Sequence, residues 1–311
     1  MPEFYLIPKR LARKSPRLRA LAQRVEGGFF RSVFWLMRRL SVQRASQLCS
    51  QLFGLVGPHS DKAKKAYNNL AIAFPGKDEH WHRQTARAVF GYLGCAAAEL
   101  IKLDQIWQER DQRLEFVIEP QALSHIRNKG ATVFVTAHIG AWQLTNLIGP
   151  RENLSISTVY AAESNPALRD VMLELRQSFG VNLIPSEAGV RPLMKELAAG
   201  RSVGMAMDTR LDTGKLIPFF GRDALTNTTA ARLALRSGAA LIPIRAQRLT
   251  AGRFRITAYD PLSSNAPQDS TGDDHAVDLT QQINRFFEQW ISEEPEQWIC
   301  LKRRWPKGHK L

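Results

Sequence analysis

The sequence predicts an α/β fold: a mainly parallel central sheet flanked by helices, preceded by an N-terminal helical segment of membrane-associating character. Three observations predict it. Between residues 130 and 260, β-branched and aromatic runs alternate with helix-like runs. Long amphipathic patterns precede and follow that region. Residues 1–44 hold eleven Lys and Arg against two acids, interleaved with large apolar residues.

The basic arm comes first. The run FFRSVFWLMRRL sets Phe29, Phe30, Val33, Phe34, Leu36, Met37 and Leu40 around much of a helix, with arginines at the edges. Such a helix suits a membrane interface, apolar side down and cations on anionic headgroups. The alternative is a helix packed on the domain with a solvated basic face. No apolar run approaches the roughly 20 residues that span a bilayer. The first 25 residues lack the apolar stretch of a cleavable leader, so none is expected.

Residues 61–74 read as a helix stopped by Pro75 and Gly76. Residues 78–103 read as another, with a core stripe running from Ala86 to Ile101. His80 and His82 flank Trp81 and, two apart on a helix, do not face one site, so both are expected at the surface. Strand-like runs follow at 132–136, 156–160, 181–184, 203–207, 241–245 and 254–258. Helix-like runs lie between them at 143–149, 166–179, 191–199 and 229–238. Asn165 before Pro166 is an N-cap signal. A polar loop at 263–275 leads to a last helix at 276–292. The tail PEQWICLKRRWPKGHKL, with Trp298 and Trp305 among basic residues, has an interfacial composition. The expected organisation is a basic amphipathic arm at 1–60 and an α/β domain at 61–311, including a helical lead-in at 61–110. Arm and lead-in are expected to pack on the α/β part.

The net charge of +14 and pI near 10.1 favour anionic partners: nucleic acid, anionic lipid or an acidic protein. No RRM, KH, zinc-finger or helix-turn-helix pattern is present, which sets nucleic acid aside. Cys49, Cys95 and Cys300 are far apart and form no CxxC pair, so no metal or disulfide framework is expected and a reducing compartment is the simplest context.

Three clusters could carry chemistry. In TVFVTAHIGAWQ a buried strand, Thr132 to Thr136, ends in His138, and Gly140 permits a tight turn into a run starting at Trp142 and Gln143. A histidine beside an acid or amide can take a proton from an attacking hydroxyl; a buried structural histidine is the other possibility. In MAMDTRLDTGKLIPFFG, Asp208 again follows a strand, and Phe219 and Phe220 before Gly221 offer an apolar wall, or ordinary core. Thr226, Thr228 and Thr229 precede a helix carrying Arg232 and Arg236, a start suited to anions.

Together these landmarks resemble the lipid A biosynthesis lauroyl/myristoyl acyltransferases within the glycerolipid acyltransferase superfamily. The likeness runs from about residue 60 to 306: NLAIAFP at 69–75, HIGAWQ at 138–143, Asn165 with Leu168, Arg176 with Gly180, LAAGRSVGMAMD at 197–208, IPFFGRDALT at 217–226, ARLALRSGAALIPI at 231–244 and PEQWICLKRRW at 295–305. The resemblance implies a transferase on the cytoplasmic face of a bacterial inner membrane, moving an acyl chain from an acyl carrier protein, or acyl-CoA, to a lipid hydroxyl. It implies no bound cofactor. Its partners would be acyl carrier protein, an anionic membrane and a lipid acceptor. His138 would be the general base, with Gln143 and Asp208 as its catalytic companions. Arg176, Trp142, Phe219, Phe220, Gly221 and Thr226 would contact substrate. The chain departs from the family pattern in having Gln143 where the histidine motif ends in an acid. It has Thr209 where relatives often have Gln. Its N-terminal apolar stretch is broken by arginines, which implies monotopic attachment. Gln143 would orient the imidazole through a hydrogen bond without adding charge, and it opens a second reading: a member that binds lipid or acyl carrier without chemistry.

Overall fold

Seven strands, each paired in parallel with a neighbour on at least one side, form the sheet that positions everything else. The computed structural model describes residues 15–163, 165–177 and 180–306, with only the backbone of Ala167. The beginning of the arm and residues 307–311 of the tail therefore lie outside the described residues.

Two long helices open the described chain, α1 (Pro16–Arg39) and α2 (Val42–Val56). The Ser15 hydroxyl caps α1 by accepting from the Leu18 N–H, and proline occupies its first turn. Next come α3 (Asp61–Ala73), α4 (Glu79–Ile101), α5 (Leu103–Gln108) and α6 (Arg110–Arg113). The α/β region then runs β1 (Leu114–Ile118), α7 (Pro120–Arg127), β2 (Thr132–Thr136), a 3-10 turn at Trp142–Leu147, α8 (Ile148–Glu152), β3 (Ile156–Tyr160), α9 (Pro166–Gln177), β4 (Asn182–Pro185), α10 (Arg191–Ala198) and β5 (Ser202–Ala206). It continues with a hairpin, β6 (Arg210–Phe219) and β7 (Arg222–Thr226), then α11 (Thr229–Ser237), β8 (Ala240–Thr250), β9 (Arg253–Ala258) and α12 (Gly272–Glu293). Thr271 and Asp274 close a capping box at the start of α12.

The sheet order is β1-β9-β8-β2-β5-β3-β4, and only β8 and β9 pair antiparallel. β2 lies at its centre, with every residue buried on both faces. Alternation sorts its side chains. Val133 and Val135 join a core with Val203, Leu241, α11, α12 and the tail, whereas Phe134 joins another with Ile156, Ile242, α2 and the end of α4. The register sets Val135 beside Met205 and Thr136 beside Ala206, so β2 and β5 end side by side.

The described arm is docked onto the body. On α1, Glu26 is fully buried and its carboxylate accepts from Asn165 Nδ2 at 3.2 Å, while α2 lies so close to α4 that a Cβ on Gly94 would stand 2.2 Å from the Cys49 carbonyl oxygen.

The tail and one histidine correct expectations from composition. Trp298 and Trp305 are fully buried, and Asn69 on α3 clamps the chain between them by donating to the carbonyls of Cys300 and Lys302 and accepting from Arg304 N–H. Tryptophans among basic residues thus fill a core here instead of lying in an interface. His82 is buried as well, its ring nitrogen 2.9 Å from the Phe74 carbonyl oxygen. It turns inward because α4 packs that face against α3.

Candidate active site

The site begins where β2 and β5 end, the edge at which parallel α/β sheets collect ligands. His138 follows β2 by two residues, and Asp208 follows β5 by two. One oxygen of Asp208 accepts both the His138 backbone N–H at 3.0 Å and its Nδ1 at 2.7 Å. The other oxygen accepts the indole N–H of Trp298 at 3.0 Å. The Asp208 side chain is 3% exposed and that of His138 is 33% exposed, so the acid is sealed in while the imidazole reaches the surface.

Electrostatics then fix the tautomer. Burial alone would raise the carboxyl pKa of Asp208, but the neighbouring His138 charge and the hydrogen bonds from His138 and Trp298 outweigh it and hold it at about 2. Asp208 is therefore an anion near neutral pH and can only accept hydrogen bonds. Nδ1 of His138 therefore carries a proton whether or not the ring is charged, and in the neutral ring the Nε2 lone pair is the one free to take a proton. The Trp142 ring stands beside the imidazole, 5.5 Å between centroids.

Gly140 shapes the loop. Its φ is +60°, and a Cβ there would come within 2.4 Å of the Ala246 carbonyl oxygen, so a side chain is excluded on both counts. Its N–H donates to Gln297 O at 3.3 Å, and the Ala141 N–H donates to Ala246 O at 2.9 Å. Ile299 N–H donates to His138 O at 2.8 Å, so the segment around Trp298 runs along this loop.

The expected bond between Gln143 and the imidazole is not made. Gln143 lies early in the 3-10 turn, and its Nε2 is 3.5 Å from the Ala96 carbonyl oxygen on α4. Asp208 occupies Nδ1 instead.

Arg176 on α9 grips buried Glu163 through both terminal nitrogens, at 2.8 and 3.2 Å, with the Tyr160 ring 5.4 Å away. It stands by the carboxyl end of β3, on the same edge of the sheet as His138.

Phe219 and Thr226 belong to the interior. Phe219 is fully buried against Trp298 and Trp305 with the Arg304 guanidinium 4.5 Å from its ring, and Thr226 Oγ1 accepts from Arg304 Nη2 at 2.8 Å. Phe220 and Gly221 make the two-residue turn of the hairpin, with φ of 51° and 68°. A turn with positive φ at both central residues matches the twist of the strands. The Phe220 N–H donates to Glu288 at 2.7 Å and its ring packs on Phe74. Phe219 and Thr226 are thus packed inside the fold beside the site, while the turn at Phe220 and Gly221 reaches the surface.

Three residues at the site escape a reading by residue type: Trp298, Glu99 and Arg248. The landmark PEQW marked the first, but its role came only with the contact to Asp208. No local pattern singled out Arg248, which lies in the polar second half of β8 beside Gln247.

A family model described as bacterial lipid A biosynthesis acyltransferase matches residues 13–307. A phosphatidylinositol mannoside acyltransferase of Mycobacterium tuberculosis is 27% identical over 178 residues, 56% of this chain and 54% of its own. The chain thus spans about half the length of this relative. A lipid A biosynthesis acyltransferase of Haemophilus influenzae is 21% identical over 254 residues, 77% of this chain and 76% of its own. Among solved structures, the 1-acyl-sn-glycerophosphate acyltransferase of Thermotoga maritima aligns with 78% of this chain and 96% of its own at 12% identity and a TM-score of 0.37.

Proposed function

The chain belongs to the bacterial lipid A biosynthesis acyltransferase family, and from that premise we propose that it moves a fatty acyl chain from an acyl carrier protein, or acyl-CoA, to a hydroxyl of a lipid A precursor or related glycolipid. The names of its relatives point to lipid A and to a phosphatidylinositol mannoside, so the shared acceptor class is a glycolipid hydroxyl. The observation that carries the reading is the 2.7 Å bond between His138 Nδ1 and buried Asp208.

In the proposed reaction, His138 Nε2 takes the proton of the acceptor hydroxyl as its oxygen attacks the thioester carbonyl. Asp208 stabilises the imidazolium that forms. The new C–O bond replaces the C–S bond, and the thiolate leaves with the proton that His138 returns. No cofactor beyond the donor thioester is needed. Arg176 and Trp142 would orient substrate beside the imidazole. Gln143 motivates the alternative of a lipid-binding member without chemistry. Asp208 supplies on the ring the charge that Gln143 lacks, which favours the catalytic reading.

We also propose monotopic attachment to the cytoplasmic face of the inner membrane. Among the described residues, no helix is long and apolar enough to cross a membrane. Leu18, Leu21, Val25, Phe29 and Leu36 are exposed along one stripe of α1, between exposed arginines. Exposed Leu52, Leu55 and Val56 at the end of α2 extend the apolar surface.

The decisive experiment compares wild type with His138→Ala for transfer from a labelled acyl carrier protein to glycolipid, together with lipid mass spectrometry of a strain lacking the protein. Loss of transfer and of one acyl chain supports the proposal and identifies the acceptor. Unchanged turnover in His138→Ala would remove the histidine from the chemistry.

A further inference from the structure

Glu99 on α4 and Arg248 on β8 form an ion pair inside the protein, with side chains 2% and 7% exposed. Arg248 Nε and Nη2 donate to the two Glu99 oxygens, Nη2 lying 2.8 Å from Oε2. Nη2 also donates to the Gly140 carbonyl at 2.9 Å, and Nη1 donates to the Gln297 side-chain oxygen at 2.7 Å. The Tyr92 ring lies 5.6 Å from the guanidinium.

Stability is a poor reason for this pair. Taking two charges out of water costs several kcal/mol each, and apolar replacements of buried pairs are often neutral or stabilising. The reach of the guanidinium is more informative. Gly140 ends the turn that leaves His138, and Gln297 immediately precedes Trp298, which holds Asp208. One planar fork therefore grips both the histidine loop and the segment that steadies the acid. A lysine ammonium could not span these acceptors, being a compact charge without the fork geometry.

We infer, on the reading that His138 is the base, that the Glu99–Arg248 pair is a positioning device for acyl transfer, locking the Gly140 peptide and the Gln297–Trp298 segment so that His138 and Asp208 keep their mutual geometry. Neither residue touches substrate. Glu99 acts by holding the guanidinium, and Arg248 by holding the two segments.

The test uses the full chain and two variants. E99Q/R248M removes both charges together, so no lone charge stays buried. R248K keeps a cation for Glu99 but loses the fork. Proton NMR of protein labelled with 15N-histidine, assigned with His138→Ala, reads the Nδ1–H bond to Asp208 without any substrate. Acyl-transfer kinetics with acyl carrier protein donor and glycolipid acceptor supply kcat and KM, and thermal melting reports the fold. Both variants are expected to melt cooperatively, to lose or broaden the His138 Nδ1 proton signal, and to lose about tenfold or more in kcat with KM within about twofold. A wild-type signal and wild-type kcat in a folded variant would overturn the positioning role. If E99Q/R248M does not fold, R248K alone decides. If the wild type transfers nothing from the donor supplied, the donor proposal fails while the NMR signal still judges the pair.

Discussion

Trp298 holds Asp208 from the side opposite His138: its indole N–H meets one carboxylate oxygen at 3.0 Å, while the histidine ring meets the other at 2.7 Å. The acid is thus fixed between the imidazole proposed as the base and an indole that only donates. Trp298→Phe keeps most of the apolar volume but leaves a buried carboxylate oxygen without its partner, which costs about 1–3 kcal/mol. The expected result is a fall of roughly tenfold in kcat with little change in KM, and a lower midpoint in urea. Steady-state kinetics and urea unfolding check it. An unchanged kcat would show that His138 alone suffices to orient Asp208.

The acid itself should be worth far more to the rate. In Asp208→Asn the amide can present its NH2 to the imidazole, favouring the tautomer with the proton on Nε2, where the base is needed. The same change in a hydrolase triad costs about 10⁴ in rate, and a loss on the order of 10³ to 10⁴ is expected here. Single-turnover acyl transfer measures it; a loss under tenfold would mean that Asp208 is structural.

Acid titration gives an independent check on the same residue. The folded pKa of Asp208, about 2, lies below the unfolded value near 3.9. A depressed carboxylate contributes stability that is present above the unfolded pKa and lost as pH falls through the folded one. The contribution, roughly 2 to 3 kcal/mol, should therefore fade between roughly pH 4 and pH 2. Urea unfolding of wild type and Asp208→Asn across that window should show their stability gap narrowing as pH falls. A gap independent of pH would mean that the acid is not held as an anion.

How legible this site was depends on the residue. β2 was readable to its ends because all five of its residues are β-branched or aromatic and buried on both faces. The hairpin was not, because Asp212, Thr213 and Lys215 face solvent and only alternate residues such as Ile217 and Phe219 are buried. Helix α2, rich in Gln and Ser, also lacked a strong pattern. His138 and Asp208 could each be singled out at a strand end. Their contact spans 70 residues and depends on the parallel register of β2 with β5, which no local pattern states. Trp298 was misjudged because tryptophan among basic residues has the same composition in a core as in a membrane interface.

The surface proposal predicts a separable defect. Leu21→Asp with Phe29→Asp puts charge in the exposed stripe of α1 while leaving buried Glu26 and Met37 in place. Sedimentation with anionic vesicles should show binding weakened on the order of tenfold or more, because two large apolar groups no longer enter the interface. Acyl transfer to a detergent-dispersed acceptor should persist. Undiminished vesicle binding would move the attachment surface elsewhere.

Gln143 gives the sharpest contrast between a motif and a geometry. By the motif, restoring an acid with Gln143→Glu should raise the rate. By the geometry it should not, because the Gln143 amide nitrogen lies near the Ala96 carbonyl oxygen while His138 Nδ1 is already held by Asp208. A carboxylate there would lose that donor and set its charge against a carbonyl dipole. The expected outcome is a kcat that does not rise and a urea midpoint that falls by the equivalent of about 1 kcal/mol. The pair Gln143→Glu and Gln143→Met separates the effects: if loss of the tether is what matters, both variants lose stability while the histidine pathway stays intact. A rate increase in Gln143→Glu alone would mean that the loop turns its fifth residue back to the imidazole during turnover, making the motif acid the better guide to the working enzyme.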